Sequence, residues 1–180
     1  DGACSTRLAI FHTRWATHGN VTEANAHPHA DCKKEIWLAH NGIVENYRDL
    51  KDALIKKNHQ FRSETDTEII AHLIEEIKKK KRCRFEEAVR FALREIRGTY
   101  GLVAFDARDP YVLVAARNFS PLLLGAGEHE YIVASDASAI IRRTTRVIYL
   151  DDGEIAVLTP TRHTIYDFGK KERVKPLQKI

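Results

Sequence analysis

The stretch GTYGLVAFDARDPYVLVAARN, residues 98–118, contains two short runs of aromatic, β-branched and aliphatic residues separated by the turn sequence DARDP. Five similar runs follow up to residue 168, namely PLLLG, EYIVAS, RVIYL, EIAVL and HTIYDF. Short runs bounded by turn residues are typical of strands. Strands joined by short turns pair antiparallel, because parallel neighbours need a long crossover. The C-terminal half therefore predicts antiparallel sheets, with Asp152 and Gly153 as a hairpin turn.

The N-terminal half predicts three helices ahead of these strands. Apolar residues at the spacing of one helix face begin at Ile43, and Thr65 and Glu68 have the capping-box spacing that opens a second helix. A third helix runs from about Phe85 to a stop at Gly98. Helices followed by antiparallel strands predict one α+β domain over residues 1–180.

Length and composition indicate one ordinary soluble domain. The chain has 180 residues, a hydrophobic content of 43% and a net charge of +4, a mild excess that does not indicate nucleic-acid binding. Cys4, Cys32 and Cys83 form an odd count at unrelated spacings, and no apolar stretch is long enough for a membrane span. We therefore expect a cytoplasmic protein with no membrane and no nucleic-acid partner.

Two polar stretches have a plain interpretation that we favour. HPHADC offers His27, His29, Asp31 and Cys32 as metal ligands, but zinc sites usually close with a second, distant pair at finger-like spacing. We see no such pair and expect a polar loop, with no metal ligand. The run KKKKRCR, residues 78–84, could be a nucleic-acid or localisation patch. It lies at a predicted helix C-terminus, where the negative end of the helix dipole favours cations, so we expect a solvated helix end instead.

Polar residues also concentrate at the ends of two predicted strands, residues 8–15 and 36–40. Arg14 offers a planar fork of donors that matches a carboxylate, while Asn41 and Gly42 place an amide and a backbone N–H side by side, as in an oxyanion hole. Asp66 opens a helix and could face an ammonium group. Each of them also has a common structural use, as an ion-pair partner, a turn or a cap. Together they fit an amino acid with a side-chain amide.

Six motifs in order carry a family resemblance over nearly the whole chain. They are HTRWATHG (12–19), NAHPH (25–29), HNGIVEN (40–46), SETDTE (63–68), GTYGLVAF (98–105) and ASD (134–136). The chain resembles the class II glutamine amidotransferases, most closely the glutaminase domains of the glucosamine-6-phosphate synthases. The resemblance implies the N-terminal-nucleophile hydrolase fold, a four-layer αββα sandwich with two antiparallel sheets between helices.

The resemblance also implies a glutamine pocket. Arg14 would hold the α-carboxylate of L-glutamine, Thr17 and His18 would shape the same pocket, and Asp66 would take the α-ammonium group. Trp15 would lie in a loop that closes over bound glutamine. Closure matters because it excludes water and retains ammonia.

The same resemblance implies that Asn41, through its side-chain amide, and Gly42, through its backbone N–H, stabilise the tetrahedral oxyanion. The family's nucleophile is an N-terminal cysteine followed by glycine and an apolar strand. Cys4 departs from that pattern, because STRLAIFHTR leads directly from it into the arginine strand. We expect the nucleophile segment to precede this sequence, so that the fold is incomplete at its N-terminus.

Two classes of function follow. In the first, the chain is the glutaminase half of an amidotransferase that converts glutamine to glutamate and supplies ammonia for the conversion of fructose 6-phosphate to glucosamine 6-phosphate. Its partners would then be L-glutamine and downstream sugar-isomerase domains in a homo-oligomeric parent, without a cofactor. In the second, it is a glutamine-binding or structural module without turnover. The glutaminase domain of another class II amidotransferase is a further alternative.

Overall fold

The computed structural model of the chain describes residues 7–13 and 20–180. The helices in these ranges are α1 (Tyr47–Ile55), α2 (Thr67–Lys81) and α3 (Phe85–Glu95), with 3₁₀ turns at Glu23–Asn25 and Ala137–Ala139. The strands are β1 (His29–Ala30), β2 (Ile36–Val44), β3 (Gly98–Asp106), β4 (Asp109–Asn118), β5 (Leu123–Ala126), β6 (Tyr131–Ala134), β7 (Arg146–Tyr149), β8 (Glu154–Leu158), β9 (His163–Asp167) and β10 (Gln178–Lys179).

The strands form two sheets in which every pairing is antiparallel. The larger sheet has the order β1-β2-β3-β4-β8-β9, and the smaller has the order β10-β7-β5-β6. All seven runs predicted as strands beyond residue 98 are strands in the structure. The prediction of antiparallel sheets is confirmed.

Alternating side chains assign the faces of the larger sheet. Leu102 and Ala104 of β3 are fully buried against the three helices, whereas Val103 between them packs into a second core against Leu124 and Ile148 of the smaller sheet. This period of two is what a strand buried on both faces requires. The molecule is thus layered as helices, sheet and sheet.

A third, smaller cluster lies on the far face of the second sheet. Leu123 and Val147 pack there with Ile140, beside the turn Ala137–Ala139. An αββα sandwich has a fourth, helical layer on this face. In the described ranges, the short segment around Ala137–Ala139 and Ile140 covers it. The α+β sandwich with antiparallel sheets is confirmed.

The first predicted helix begins later than expected. Ile43 lies in β2, where it pairs with Thr99 of β3, and Val44 pairs with Gly98. The backbone of these residues is therefore bonded across the sheet, and α1 starts at Tyr47. The helical spacing from Ile43 to the later apolar residues was misleading, because the spacing of residues in one segment does not show whether another strand pairs with it.

The capping box predicted for the second helix does not form. The N-cap of α2 is Asp66, and its side chain makes no capping hydrogen bond. Glu68 instead accepts the N–H groups of Arg62 and Ser63 at 2.8 and 2.7 Å. Burial alone would raise the pKa of Glu68, but the hydrogen bonds from His72, Ser63 and the Arg62 N–H outweigh it and lower the pKa to about 2.

Three further local predictions are corrected. The turn at Asp152 and Gly153 joins β7 to β8, which belong to different sheets, so it is not a hairpin turn. Gly98 begins β3, while α3 ends at Glu95. Residues 8–13 form no strand, and within the described ranges no strand pairs with them.

No helix in the described ranges combines the length and apolar character needed to cross a membrane.

Candidate functional site

Asn41 and Gly42 lie within β2 rather than beyond its end. Asn41 pairs with Gly101 of β3, and Gly42 pairs with Tyr100. The predicted strand ended before both residues, whereas the observed strand continues to Val44. Because their pairing with β3 holds the backbone, the sheet places these two potential hydrogen-bond donors more rigidly than a loop would.

Gly42 occupies a position that no other residue fits. Its φ is +141°, and a Cβ built there would lie 2.1 Å from the carbonyl oxygen of Thr99 and 2.9 Å from Nε2 of His40. Both the backbone conformation and the missing space exclude a side chain. The close approach of β2 and β3 at this point therefore depends on glycine.

The side chain of Asn41 is oriented by His12. The Nε2–H of His12 donates to Oδ1 of Asn41 at 2.7 Å, and this nitrogen carries the proton because an amide oxygen only accepts. The amide NH₂ group of Asn41 is thereby left to donate to another acceptor. Asn41 is exposed, so a ligand can reach that group.

His12 begins a row of three imidazole rings. His27 stacks on His12 with ring centroids 4.1 Å apart, and the edge of His29 meets His27 at 4.8 Å. Nδ1 of His27 accepts the backbone N–H of His40 at 3.3 Å, and Nε2 of His29 is hydrogen-bonded to the Thr65 hydroxyl at 3.0 Å. The row therefore links Asn41 to the start of α2.

His40 is buried beneath the same end of β2. Its Nε2–H donates to the carbonyl oxygen of Thr99 at 3.1 Å, and its Nδ1 accepts from the Thr67 hydroxyl at 3.0 Å. Burial lowers the pKa of His40 below its ordinary value, and the nearby His12 acts in the same direction; the Thr99 carbonyl and Asp66 oppose this shift without reversing it. His40 is therefore neutral at pH 7.

The neutral state of His40 predicts a loss of stability in acid. Its pKa is lower in the folded than in the unfolded chain, so its contribution is complete above the ordinary histidine pKa near 6.5 and is lost as the pH falls below it. We expect His40→Asn to reduce the pH dependence of the free energy of unfolding between pH 7 and 5, by at most about 1.4 kcal/mol per pH unit. The exposed His129→Asn is the control, and identical slopes in both variants would contradict the assignment.

Asp66 lies next to this strand end as well. Its Oδ2 accepts the N–H of Val44 at 2.7 Å, and its side chain is buried. Among residues 7–13 and 20–180, Val44 is the donor found for Asp66. The second carboxylate oxygen of Asp66 is therefore available to a cation. It lies close to Gly42, because Val44, which binds the first oxygen, is two residues further along β2.

The segments NAHPH and SETDTE meet through Asn25. The N–H of Glu64 donates to Oδ1 of Asn25 at 2.9 Å, and Nδ2 of Asn25 donates to the carbonyl oxygen of Asn20 at 2.9 Å. Asn25 is 2% exposed, so these bonds satisfy a buried amide. Two motifs 39 residues apart thus form one wall beside Asp66.

A cavity of about 1110 Å³ opens between the two sheets beside Asn41. Its lining includes the polar residues His12, Thr13 and Ser135, but most of the lining is apolar. The apolar residues lining it include Val103, Leu113, Leu122, Tyr131, Val133 and Leu158. A volume of this size exceeds what a small polar ligand needs.

A family model described as a glutamine amidotransferase domain matches residues 12–142, which include Asn41, Gly42, Asp66 and the row of imidazole rings. The chain belongs to this family. Its geometry can thus be compared with that of other glutamine amidotransferase domains.

Relatives in this family extend well beyond the matched region. The glutamine–fructose-6-phosphate aminotransferase of Thermococcus kodakarensis is 51% identical over 172 residues, which cover 95% of this chain and 28% of the relative. The protein of the same name from Chlorobaculum tepidum is 43% identical over 174 residues, covering 96% of this chain and 28% of the relative. This amidotransferase domain therefore spans little more than a quarter of the length of these curated relatives.

Solved structures share the fold. A glutamine phosphoribosylpyrophosphate amidotransferase from B. subtilis, complexed with ADP and GMP, superposes with a TM-score of 0.71 at 24% identity, over 89% of this chain and 35% of that one. At this level of identity, the similarity concerns the fold and carries no argument about the substrate.

Five residues singled out from the sequence lie outside the described residues. They are Cys4, Arg14, Trp15, Thr17 and His18. The neighbours of the last four frame the site: Thr13 lines the cavity, and the N–H of Asn20 lies 3.4 Å from Oε2 of Glu64. The roles proposed for these residues in the amidotransferase domain stay predictions.

The two described cysteines do not line the cavity. Burial raises the pKa of both the Cys32 and the Cys83 thiol, which disfavours the nucleophilic thiolate. The structure also separates the ligand set considered for HPHADC. Asp31 accepts the N–H groups of Glu35 and Ile36, whereas Cys32 points to a separate cluster with His59 and His72.

The sequence did not reveal the residues that support this candidate site. His12, His27 and His40 lie inside the quoted motifs, yet their contacts join segments far apart in the chain. The sequence did contain one indication. Residues 12–29 include three histidines besides His18, and buried histidines need hydrogen-bond partners, so this many predicts a network of contacts. Which partner each would have depended on the packing of β2 against α2.

Proposed function

We propose that this chain is the glutaminase part of a glutamine–fructose-6-phosphate aminotransferase. It would release ammonia from the side-chain amide of L-glutamine, leaving glutamate. Sugar-isomerase domains of the same protein would transfer the ammonia to fructose 6-phosphate and yield glucosamine 6-phosphate. The observation that carries the proposal is the meeting of Asn41, Gly42 and Asp66 at one end of β2 in a chain with such relatives.

The amide donors suit the step in which charge develops. Attack on the glutamine amide turns its carbonyl oxygen into an oxyanion, and preorganised donors stabilise that charge. The Asn41 amide group, oriented by His12, and the Gly42 N–H are proposed as this pair. Their placement on a central strand supports the proposal, because such donors act best without rearrangement.

Charge complementarity supports the pocket. Asp66 offers one carboxylate oxygen for the α-ammonium group while the other is held by Val44. Arg14 would bind the α-carboxylate, Thr17 and His18 would shape the pocket, and Trp15 would lie in the loop that closes over it. An amino acid would thus be held by both of its charged groups.

The nucleophile is proposed to be a cysteine at the mature N-terminus of the natural protein. Its thiolate would attack the amide carbon and expel ammonia, and water would then hydrolyse the thioester to glutamate. A reducing compartment such as the cytoplasm would keep Cys32 and Cys83 as the free thiols that they are in this structure. Association of the parent protein as a homo-oligomer is proposed in addition.

Glutamate release by the intact natural protein tests the function. We expect production of glutamate from L-glutamine and no comparable reaction with L-asparagine, whose amide is one methylene too short to reach Asn41 while its charged groups are bound. Calorimetric binding of L-glutamine without any glutamate release would instead favour a binding module. Neither binding nor release would refute both.

A further inference from the structure

Four potential metal ligands converge on one point away from the cavity. Cys32 lies in the loop between β1 and β2, His59 lies in the loop between α1 and α2, and His72 and Glu75 lie one turn apart on α2. One ligand atom from each, Sγ, the two Nδ1 atoms and a carboxylate oxygen, lies within 4.8 Å of all the others. The loops and the helix thus bring together residues that are distant in sequence.

Five of the six distances between these atoms are close to the edges of a coordination tetrahedron. Sγ of Cys32 is 3.5 Å from Nδ1 of His59 and 3.3 Å from Nδ1 of His72, and the two Nδ1 atoms are 3.2 Å apart. Oε2 of Glu75 lies 3.3 Å from Nδ1 of His59 and 3.8 Å from Nδ1 of His72. Zinc bonds of about 2.0 to 2.3 Å give tetrahedral edges of about 3.3 to 3.6 Å.

Hydrogen bonds account for only part of this arrangement, such as the backbone N–H of Cys32 that donates to Oε2 of Glu75 at 3.3 Å. Nδ1 of His59 has three heavy-atom neighbours at 3.2 to 3.5 Å, namely a sulfur, a nitrogen and an oxygen. One N–H cannot donate to all three, because each direction requires its own proton. A single cation at the centre would satisfy all four atoms together.

The outer nitrogens of both imidazoles face carboxylates. Nε2 of His72 is 3.5 Å from Oε1 of Glu68, and Nε2 of His59 is 3.5 Å from Oε2 of Glu76. Metal-bound histidines almost always donate their other N–H to such a partner, which leaves the Nδ1 lone pair for the metal. This second set of contacts is independent of the first and indicates the same bonding pattern.

We propose that Cys32, His59, His72 and Glu75 bind one Zn²⁺ ion in a structural, tetrahedral site. A thiolate, a carboxylate and two neutral imidazoles balance the charge of a divalent cation. Sulfur and nitrogen ligands favour zinc over magnesium or calcium, which prefer oxygen. Four protein ligands leave no open position, so the site is structural rather than catalytic.

The site would hold the loop that leads to Asp66. Glu68, which faces His72, also accepts hydrogen bonds from the Ser63 N–H and hydroxyl, and Ser63 is bonded to Thr65. Zinc would therefore connect the helix to the segment that positions the proposed ammonium-binding residue. It is the distant pair, His59 and His72, that the sequence did not reveal.

Metal content and cobalt spectroscopy test the proposal on the intact natural protein. We expect one more bound Zn²⁺ per molecule in the Cys83→Ser control than in Cys32→Ser, and a rise in Tm on zinc addition in the control alone. Co²⁺ should give the intense visible bands of a tetrahedral site and a thiolate charge-transfer band that disappears in Cys32→Ser. The loss of Zn²⁺ affinity in Cys32→Ser should exceed the loss of about 10- to 100-fold that is typical of removing a residue hydrogen-bonded to a metal ligand.

A second ligand variant keeps the test independent of folding in the first. His59→Gln changes a residue in the loop between α1 and α2 to a neutral side chain of similar size and should likewise abolish the tetrahedral Co²⁺ spectrum. The proposal is overturned if the unaltered protein gives no thiolate-to-cobalt band. It is equally overturned if zinc content and spectra are the same in Cys32→Ser, His59→Gln and Cys83→Ser.

Discussion

Asn41→Ala is expected to lower the turnover of L-glutamine by the intact protein about 100- to 1,000-fold, the loss typical of removing one oxyanion donor. The side-chain NH₂ of Asn41 would act only where charge develops in the transition state, so KM should change little. Because Asn41 is exposed and lies at the surface of β2, the fold should tolerate alanine. Steady-state rates of glutamate release over a range of glutamine concentrations measure both constants.

Asp66→Asn is the matched contrast for this prediction. Asparagine keeps an oxygen that can accept the Val44 N–H but removes the negative charge that would face the ammonium group. We expect KM to rise at least about tenfold, with a smaller effect on turnover, since ground state and transition state lose the same contact. If both variants changed only KM, the role given to Asn41 would be wrong.

Gly42→Ala is expected to destabilise the fold by about 3 kcal/mol or more. A methyl group would lie 2.1 Å from the Thr99 carbonyl oxygen, and alanine does not readily adopt a φ of +141°. Relief of the overlap would require β2 and β3 to separate at the pairing of Gly42 with Tyr100. Chemical denaturation monitored by circular dichroism gives the free energy of unfolding.

Gly153→Ala separates conformational strain from overlap. Gly153 also has a positive φ, +81°, but its nearest neighbour would be an atom of Phe168 at 3.6 Å, an ordinary contact. We therefore expect a loss of about 1 kcal/mol there. Equal losses at Gly42 and Gly153 would mean that the close approach to Thr99 is not what requires glycine in β2.

Local patterns were sufficient for most elements of the fold. The runs from residue 98 onward, rich in β-branched and aromatic residues, are strands, and the helix predicted from about Phe85 forms and buries Ala88, Val89, Ala92 and Leu93. The same patterns failed at Ile43 and at Asp152. Both errors concern which strand lies alongside, and spacing within one segment carries no information about that.

The sequence by itself determined the fold class and, through its motifs, the family: these are properties of short segments whose periodicity and residue types are readable one segment at a time. It also placed Asn41, Gly42 and Asp66 among the candidate residues. Tertiary structure alone decided that His12 orients Asn41, that Thr99 excludes a side chain at Gly42, and that Cys32 meets His59 and His72. Hydrogen bonds and coordination act over about 3 Å, so contacts between distant segments exist only once the chain has folded.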